Sequence, residues 1–151
     1  MVLTQILHKN CIKVPLTGKD KVSVITELID LLDAQGLLLN RDVALDAVLT
    51  REMTRSTGIG SGIAIPHGKC KATKELVMAV GIANGGIDFA SVDHHPVKIV
   101  MLLVSPIDQT GPHIQALAKI SRLMLDNAFK TKLENAKSSD EVFSLLSSQD
   151  K

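Results

Sequence analysis

The chain has 151 residues, of which 45% are hydrophobic and 22% charged, and these values are typical of one globular domain spanning residues 1–151. They argue against a disordered tail, a collagen-like fibre and a disulfide scaffold. Lys and Arg number 17 and Asp and Glu 16, which gives a net charge of +1, and the chain has no Trp, no Tyr and three Phe. It therefore lacks both the basic surface and the aromatic stacking platforms of a nucleic-acid binder.

The cysteines and the apolar runs indicate the cellular compartment. Cys11 and Cys70 lie far apart, without CxxC spacing, and we expect two free, mostly buried thiols in a reducing cytoplasm. Residues 1–10 lack the basic and apolar regions of a signal peptide. The longest apolar run, Ile99 to Val104, is far shorter than the roughly 20 residues that cross a bilayer. We predict a cytoplasmic protein with no membrane insertion.

Two amphipathic helices are predicted in the first third of the chain, because apolar residues recur there at helical spacing. The first follows Asp20 as its N-cap and stops at Gly36, and the second begins after Asn40 and ends near Arg51 or Glu52. The predicted core faces are Val22, Ile25, Leu28, Ile29 and Leu32 in the first helix and Val43, Ala44, Ala47 and Val48 in the second.

Strands are predicted in the middle of the chain and helices again after it. Val77 to Ile82 is apolar and bounded by Asn84-Gly85-Gly86, whereas Val97 to Val104 is apolar on both faces apart from Lys98, which is typical of a central strand covered on both sides. Three helices should follow: Pro112 to Leu125 with a stripe of Ile114, Leu117, Ala118, Ser121 and Leu125, then Asn127 to Ala136, then one capped by Ser138 and Glu141 with Val142, Leu145 and Leu146 inward. Helices mixed with strands of this kind predict an α/β sandwich.

A glycine-rich segment, Gly58-Ile59-Gly60-Ser61-Gly62, precedes Ile63-Ala64-Ile65-Pro66-His67-Gly68. A dinucleotide fingerprint would need glycine at 63, and a Walker A loop would need Ser or Thr at 70, where the chain has Cys70. Ile65 precedes a proline and is therefore driven toward extended geometry. We expect an extended segment that ends in an abrupt Pro-His-Gly turn.

His67 is the leading candidate for chemistry in that turn. Glycines allow backbone N–H groups to approach a ligand and to form an anion-binding nest, so Ser61, Gly62 and Gly68 are candidate phosphate-binding residues. A neutral imidazole is nucleophilic near pH 7 and accepts a phosphoryl group reversibly. The alternative is that His67 only ends a strand and meets a backbone carbonyl.

Two further residues are candidate partners of His67. His113 follows Gly111-Pro112 in the first turn of a predicted helix, where the helix dipole disfavours imidazolium and attracts anions. Arg51, or Arg55, offers a guanidinium for the charge of a phosphohistidine. A solvated helix end is the alternative for each. A metal site at Asp88, Asp93, His94 and His95 is disfavoured, because adjacent histidines project in opposite directions from an extended chain.

Short motifs shared with one known family are spread over essentially the whole chain. They are Arg51-Glu52, residues 56–68 (Ser-Thr-Gly-Ile-Gly-Ser-Gly-Ile-Ala-Ile-Pro-His-Gly), Asp88-Phe89, Val92-Asp93, Pro96-Val97, Leu102-Leu103-Val104, Asp108-Gln109-Thr110, His113, Leu117 to Leu125 and Ser139-Asp140-Glu141. With them the chain closely resembles the phosphotransferase-system (PTS) enzyme IIA domains of the mannitol/fructose type (type 2). Ser-Thr-Gly-Ile-Gly and Asp-Gln-Thr most resemble the nitrogen-regulatory branch, whereas Gly111-Pro112 departs from the pattern.

The resemblance implies a mixed, mostly parallel β-sheet flanked by helices on both faces. It also implies that His67 accepts phosphate, on Nε2, from a histidine-containing phosphocarrier protein, while His113 and Arg51 line the site and stabilise the phosphohistidine. No cofactor and no metal are expected. Met53, Ile59 and Ile63 are expected to form an apolar partner surface around His67.

The sequence does not distinguish between several functions. In nitrogen-regulatory members the phosphate is a signal, and the partners are a sensor kinase or a potassium-transport regulator. In sugar-transporting members it passes to a cysteine of a IIB domain. A phosphorylation-independent binding module is another alternative, and a metallohydrolase using His67, His94, His95 and His113 is a third.

Overall fold

The computed structural model describes residues 2–54, 56–91 and 93–149, with the backbone alone for Ile59. A short 3-10 helix, Leu3–Gln5, comes first. The strands are β1 (Leu7–Lys13), β2 (Gly58–Gly60), β3 (Ile63–Ala64), β4 (His67–Cys70), β5 (Val77–Ile87) and β6 (Val97–Pro106). The α-helices are α1 (Lys21–Ala34), α2 (Arg41–Thr54), α3 (Thr110–Leu123), α4 (Asn127–Glu134) and α5 (Ser139–Ser147).

The described strands form one mixed sheet in the order β1-β5-β6-β3-β2, and β4 also pairs with β6. Of the strand pairings in the described chain, β1 with β5, β3 with β6 and β4 with β6 are parallel, while β2 with β3 and β5 with β6 are antiparallel. Most of the sheet is thus parallel, which agrees with the predicted fold class. β6 is the central strand because β5 lies on one side of it and β3 and β4 on the other.

The segment from β3 to β4 follows β6 in one unbroken register. Ile63 pairs with Ile99 and His67 with Leu103, so each residue lies opposite the one 36 positions later. Pro66 lacks a backbone N–H, but its carbonyl still accepts a hydrogen bond from the Leu103 N–H at 2.9 Å. The extended geometry was predicted correctly, whereas the abrupt turn at His67 was wrong: His67 is the first residue of a strand.

Both faces of the sheet are covered by helices. Every residue from Val77 to Ala83 and from Ile99 to Pro106 is buried, and consecutive buried residues in a strand require cover on both sides. α1 packs on α2, β1 and β5, while α4 packs on α5, β5 and β6. The predicted α/β sandwich is confirmed. Cys11 and Cys70 are both free and buried, as expected.

The N-caps of the helices were predicted better than their buried faces. Asp20 caps α1 by accepting from the Ser23 N–H at 2.8 Å, and Ser138 caps α5 by accepting from the Glu141 N–H at 3.2 Å. Val22 and Val43 are exposed, however, and Val24 takes the place of Val22 in the core. α2 also runs on to Thr54, past its predicted end.

The predicted stripe of α3 was wrong except at Leu117, which is half-buried and packs against the core. Ile114 and Leu125 are 58% and 81% exposed, and the buried residues of α3 are His113, Ala116 and Ile120. A shift by one residue rotates the buried face by about 100°. The helix begins at Thr110, before Pro112, and its rotation places His113 against the sheet.

Candidate functional site

A pocket of about 490 Å³ lies beside β4, between α2 and α3. Its lining residues are Ala47, Thr50, Arg51, Thr54, His67, Gly68, Lys69, His113 and Leu117. The pocket brings together His67, His113 and Arg51, which the sequence singled out separately.

His67 is held in one tautomer by a backbone carbonyl two residues earlier in the chain. Its Nδ1 lies 2.7 Å from the carbonyl oxygen of Ile65. Since a carbonyl only accepts, Nδ1 must carry the proton, and Nε2 is left with its lone pair. Burial above all lowers the pKa of His67, and the charges of Arg51 and Lys69 act in the same direction. The hydrogen bond to the Ile65 carbonyl and the charge of Glu52 oppose this shift without reversing it. The ring is therefore a neutral base with one free nitrogen.

His113 lies beside His67 and is almost fully buried, with 5% of its surface exposed. The ring centroids are 5.2 Å apart, and the ring planes are tilted by 58°. His113 Nδ1 lies 2.5 Å from the Ser105 hydroxyl. Burial above all, together with the charges of His67 and Lys69, lowers the pKa of His113 to about 4. The neutral state expected from the helix dipole is thus produced chiefly by burial.

The charged side chains that line the pocket are both cations, Arg51 and Lys69, among the described residues. Arg51 is partly buried in the last turn of α2. Lys69 follows His67 by two residues, and its Nζ donates to the Thr110 hydroxyl at 3.3 Å. Two cations and two neutral imidazoles beside the N-terminus of α3 suit an anion.

Gly68 brings the helix with Arg51 close to the strand with His67. A Cβ at Gly68 would lie 3.0 Å from backbone atoms of Ala47 and Val48 in α2, which is tighter than nearly all real Cβ contacts. Arg51 is one helical turn beyond Ala47, so it faces the same way. The absence of a side chain at Gly68 therefore positions the guanidinium at the pocket.

Glu52 is the buried neighbour of Arg51, with 4% of its surface exposed. Its carboxylate accepts from the Thr57 N–H at 2.7 Å and from the Thr57 hydroxyl, and it pairs with Lys21 at 3.5 Å. A buried carboxylate is tolerated only with such partners. The network joins the end of α2 to α1 and to the chain before β2.

Ser61 and Gly62 are not brought to the pocket. They lie at the opposite end of β6, where the Gly62 carbonyl accepts from the Lys98 and Ile99 N–H groups. The residues between Gly62 and His67 are extended, so the two ends lie roughly 15 Å apart. The Ser61 N–H already donates to the Asp93 carboxylate at 2.9 Å.

The remaining sequence candidates lie elsewhere. His94 and His95 are exposed in a turn before β6, and the described residues contain no cluster of three or more His, Cys, Asp or Glu side chains placed to hold a metal. The metallohydrolase hypothesis therefore has no matching cluster of metal ligands among the described residues. Arg55 lies outside the described residues.

Of the three residues predicted to form an apolar surface around His67, Met53 is exposed and Ile63 is not. Met53 is 87% exposed, but Ile63 is buried at 1%, and the side chain of Ile59 lies outside the description. Ile114, next to His113, is 58% exposed. Lys69 and Ser105 were not predicted from the sequence. Alternation along β4 would have placed Lys69 on the same face as His67. No local signal pointed to Ser105.

Comparison with known proteins decides the family. The family described as phosphoenolpyruvate-dependent sugar phosphotransferase system, EIIA 2, matches residues 5–149. The chain belongs to this family. Its resemblance to PTS enzyme IIA domains of type 2 is thereby confirmed, and with it a place among phosphotransferase-system proteins.

Relatives of both branches are similar to this EIIA chain. It is 34% identical over 151 residues to the "PTS system fructose-specific EIIABC component" of Bacillus subtilis, covering all of this chain but only 24% of that protein's length. It is 33% identical over 147 residues to the "Nitrogen regulatory protein" of Escherichia coli, covering 95% of this chain and 88% of that protein.

Among solved structures, the nitrogen regulatory protein IIA-Ntr of Neisseria meningitidis superposes with a TM-score of 0.88 at 26% identity, covering 97% of this chain and 99% of that one.

In the described part of this EIIA chain, none of the helices combines the length and the apolar character needed to span a bilayer.

Proposed function

We propose that this EIIA protein is a phosphohistidine carrier in which Nε2 of His67 accepts the phosphoryl group from a histidine-containing phosphocarrier protein. One observation carries the proposal: the Ile65 carbonyl fixes the proton on Nδ1, which leaves Nε2 as a nucleophile inside a cationic pocket. The alternative from the sequence was that His67 only ends a strand and meets a backbone carbonyl. That alternative describes the same hydrogen bond, and in this proposal the hydrogen bond activates the ring.

The transfer needs no cofactor. The Nε2 lone pair of His67 forms a bond to phosphorus while the P–N bond of the donor phosphohistidine breaks, and its electron pair returns to the donor nitrogen. The His67 Nδ1 proton stays on the ring and continues to donate to Ile65. In the reverse direction the same bond breaks, so the phosphoryl group passes on to an acceptor.

Each pocket residue has a role in this proposal. Arg51 offers a guanidinium fork to the phosphoryl oxygens, and Lys69 adds a second positive charge. His113 is neutral and donates a hydrogen bond to an oxygen. Gly68 acts through close packing against α2, and Ser61 and Gly62 are left out of the phosphate site because they lie at the far end of the strand.

We infer that the output is signalling of the nitrogen-regulatory type, in the cytoplasm, with a sensor kinase or a potassium-transport regulator as partner. The similarity to the Escherichia coli nitrogen regulatory protein over 95% of this chain supports this. The equal similarity to a fructose-specific relative supports a second candidate, a sugar-specific IIA that passes phosphate to a IIB cysteine. Exposed Met53 and Ile114 flank the pocket residues in sequence and suit docking of either partner.

The test is labelling with radioactive phosphoenolpyruvate, the first enzyme of the system and the phosphocarrier protein. Wild-type protein is expected to take up acid-labile label, and His67→Ala is expected to take up none, with His95→Ala as the matched control on an exposed histidine. Label in His67→Ala equal to the wild type would remove the site assignment. Addition of a IIB domain distinguishes the outputs, because only a sugar-specific IIA should lose its label rapidly to it.

A further inference from the structure

Ser105 is a buried residue of β6 that none of the sequence motifs includes. None of its surface is exposed, and it lies opposite Lys69 in the pairing of β4 with β6. Among the described residues, its hydroxyl oxygen has one hydrogen-bond partner, His113 Nδ1 at 2.5 Å. The question is which of the two groups donates the proton.

The buried hydroxyl settles the direction of this bond. A serine hydroxyl can donate one hydrogen bond and accept two, whereas each nitrogen of a neutral imidazole either donates or accepts. If His113 Nδ1 donated, the Ser105 proton would be buried without an acceptor, which is costly. If Ser105 donates, its proton is satisfied, Nδ1 is the acceptor, and the His113 proton must lie on Nε2.

We propose that Ser105 is a positioning residue that fixes His113 in the Nε2–H tautomer, so that His113 donates a hydrogen bond to the phosphoryl group carried by His67. The two rings then have opposite tautomers. The Ile65 carbonyl accepts a hydrogen bond from His67 Nδ1–H and leaves Nε2 as an acceptor. The Ser105 hydroxyl donates to His113 Nδ1 and leaves Nε2–H as a donor.

This arrangement explains why two neutral histidines lie with ring centroids 5.2 Å apart in one pocket. If both rings were protonated on Nδ1, they would present two lone pairs, which repel a phosphoryl oxygen. If both were protonated on Nε2, they would present two donors and no nucleophile. With opposite tautomers, one ring attacks phosphorus and the other binds an oxygen of the same group. The role in transfer rests on the proposed function, but the tautomer itself does not.

The decisive experiment is therefore NMR of unphosphorylated protein with 15N-labelled histidine. Long-range 1H–15N spectra distinguish a protonated from an unprotonated ring nitrogen. In the wild type we expect a protonated Nε2 for His113 and a protonated Nδ1 for His67. A wild-type His113 with its proton on Nδ1 would overturn the proposal, whatever the outcome of the labelling experiment.

Variants extend the test. Ser105→Ala should populate the Nδ1–H tautomer of His113 while His67 keeps its own, and onward transfer from phosphorylated protein should slow about three- to tenfold, the value of one hydrogen bond. Ser91→Ala is the matched control, because Ser91 is also a buried serine and its hydroxyl has no partner among the described residues. Ser105→Thr keeps the hydroxyl and should restore the Nε2–H tautomer. An unchanged tautomer and unchanged transfer in Ser105→Ala would contradict the assigned role.

Discussion

The two ends of the segment from Gly60 to Cys70 have opposite electrostatic character. At the glycine end, Gly60, Ser61 and Gly62 all have positive φ, and the Ser61 N–H is bound by the Asp93 carboxylate. At the histidine end, Arg51 and Lys69 line an open pocket with His67. Both ends have backbone geometry or side chains that suit an anion. At the glycine end the Asp93 carboxylate already binds the Ser61 N–H, whereas Arg51 and Lys69 line the pocket at the histidine end.

The difference shows that glycine spacing alone does not locate a phosphate site. A turn with positive φ can bind any acceptor, and here the protein supplies its own carboxylate. Binding of that carboxylate to Ser61 and His95 N–H groups lowers the pKa of Asp93, so it stays ionised. At the other end, the side chains that line the pocket beside β4 include the two cations Arg51 and Lys69.

Among variants that keep His67, Arg51→Gln should have the largest effect at the histidine end. The side chain stays polar, but the positive charge near the phosphoryl group is lost. A charge-assisted hydrogen bond contributes about 1.5–3 kcal/mol, so phosphotransfer should slow by roughly 10- to 100-fold in a quench-flow labelling assay. Arg51→Lys is the control and should lose less, because the charge remains. Transfer by Arg51→Gln at the wild-type rate would show that the guanidinium does not contact the phosphoryl group.

Acid should weaken the fold through the buried histidine. The pKa of His113 is about 4 in the folded protein and about 6.5 when unfolded. The unfolded chain therefore binds a proton more readily, and the stability present above pH 6.5 is lost as pH falls toward 4. Between pH 7 and pH 5 the free energy of unfolding should fall by about 2 kcal/mol from this group.

Urea denaturation of the wild type and of His113→Gln at both pH values measures this effect. The variant should lose less stability between pH 7 and pH 5, because it lacks the titrating ring. Equal losses in the two proteins would mean that His113 is protonated as easily when folded as when unfolded.

His113→Ala should separate acceptance from release of the phosphoryl group. His67 keeps its nucleophilic Nε2, so labelling should continue, while onward transfer should slow about tenfold, equivalent to about 1.4 kcal/mol. His94→Ala, on the exposed turn near the glycine end, is the matched control. Normal onward transfer by His113→Ala would remove His113 from the mechanism.

Asp93→Asn should have the smallest effect, because it changes only the glycine end. Asn keeps an oxygen acceptor for the Ser61 N–H, so stability should change little, and labelling should stay within twofold of the wild type. If the glycine turn were the phosphate site, removal of this carboxylate would raise the labelling rate markedly.

Local signals predicted most of the fold. The caps at Asp20 and Ser138 and the doubly covered strand at Val97 depend on neighbouring residues, and these features were confirmed. The buried face of α3 was not predictable, because a polar residue was expected outside and His113 is inside. Its burial depends on the Ser105 hydroxyl eight residues earlier, a contact that helical spacing does not encode.

The candidate site was predictable as a set of residues but not as an arrangement. The family motifs pointed to His67, His113 and Arg51, and the fold brings the three together. The exclusion of Ser61 and Gly62 depends on the pairing of β3 with β6 and on Asp93, 32 residues after Ser61 in sequence. Lys69, by contrast, follows from alternation along β4, which places it on the same face as His67.

The central claim is that the His67 ring has its free nitrogen at Nε2 and that this atom carries the phosphoryl group. Phosphorylated protein with 15N-labelled histidine, observed by 31P and 15N NMR, tests it directly. We expect a phosphorus–nitrogen coupling at His67 Nε2, with Nδ1 still protonated. A phosphoryl group on Nδ1 of His67, or on His113, would contradict it.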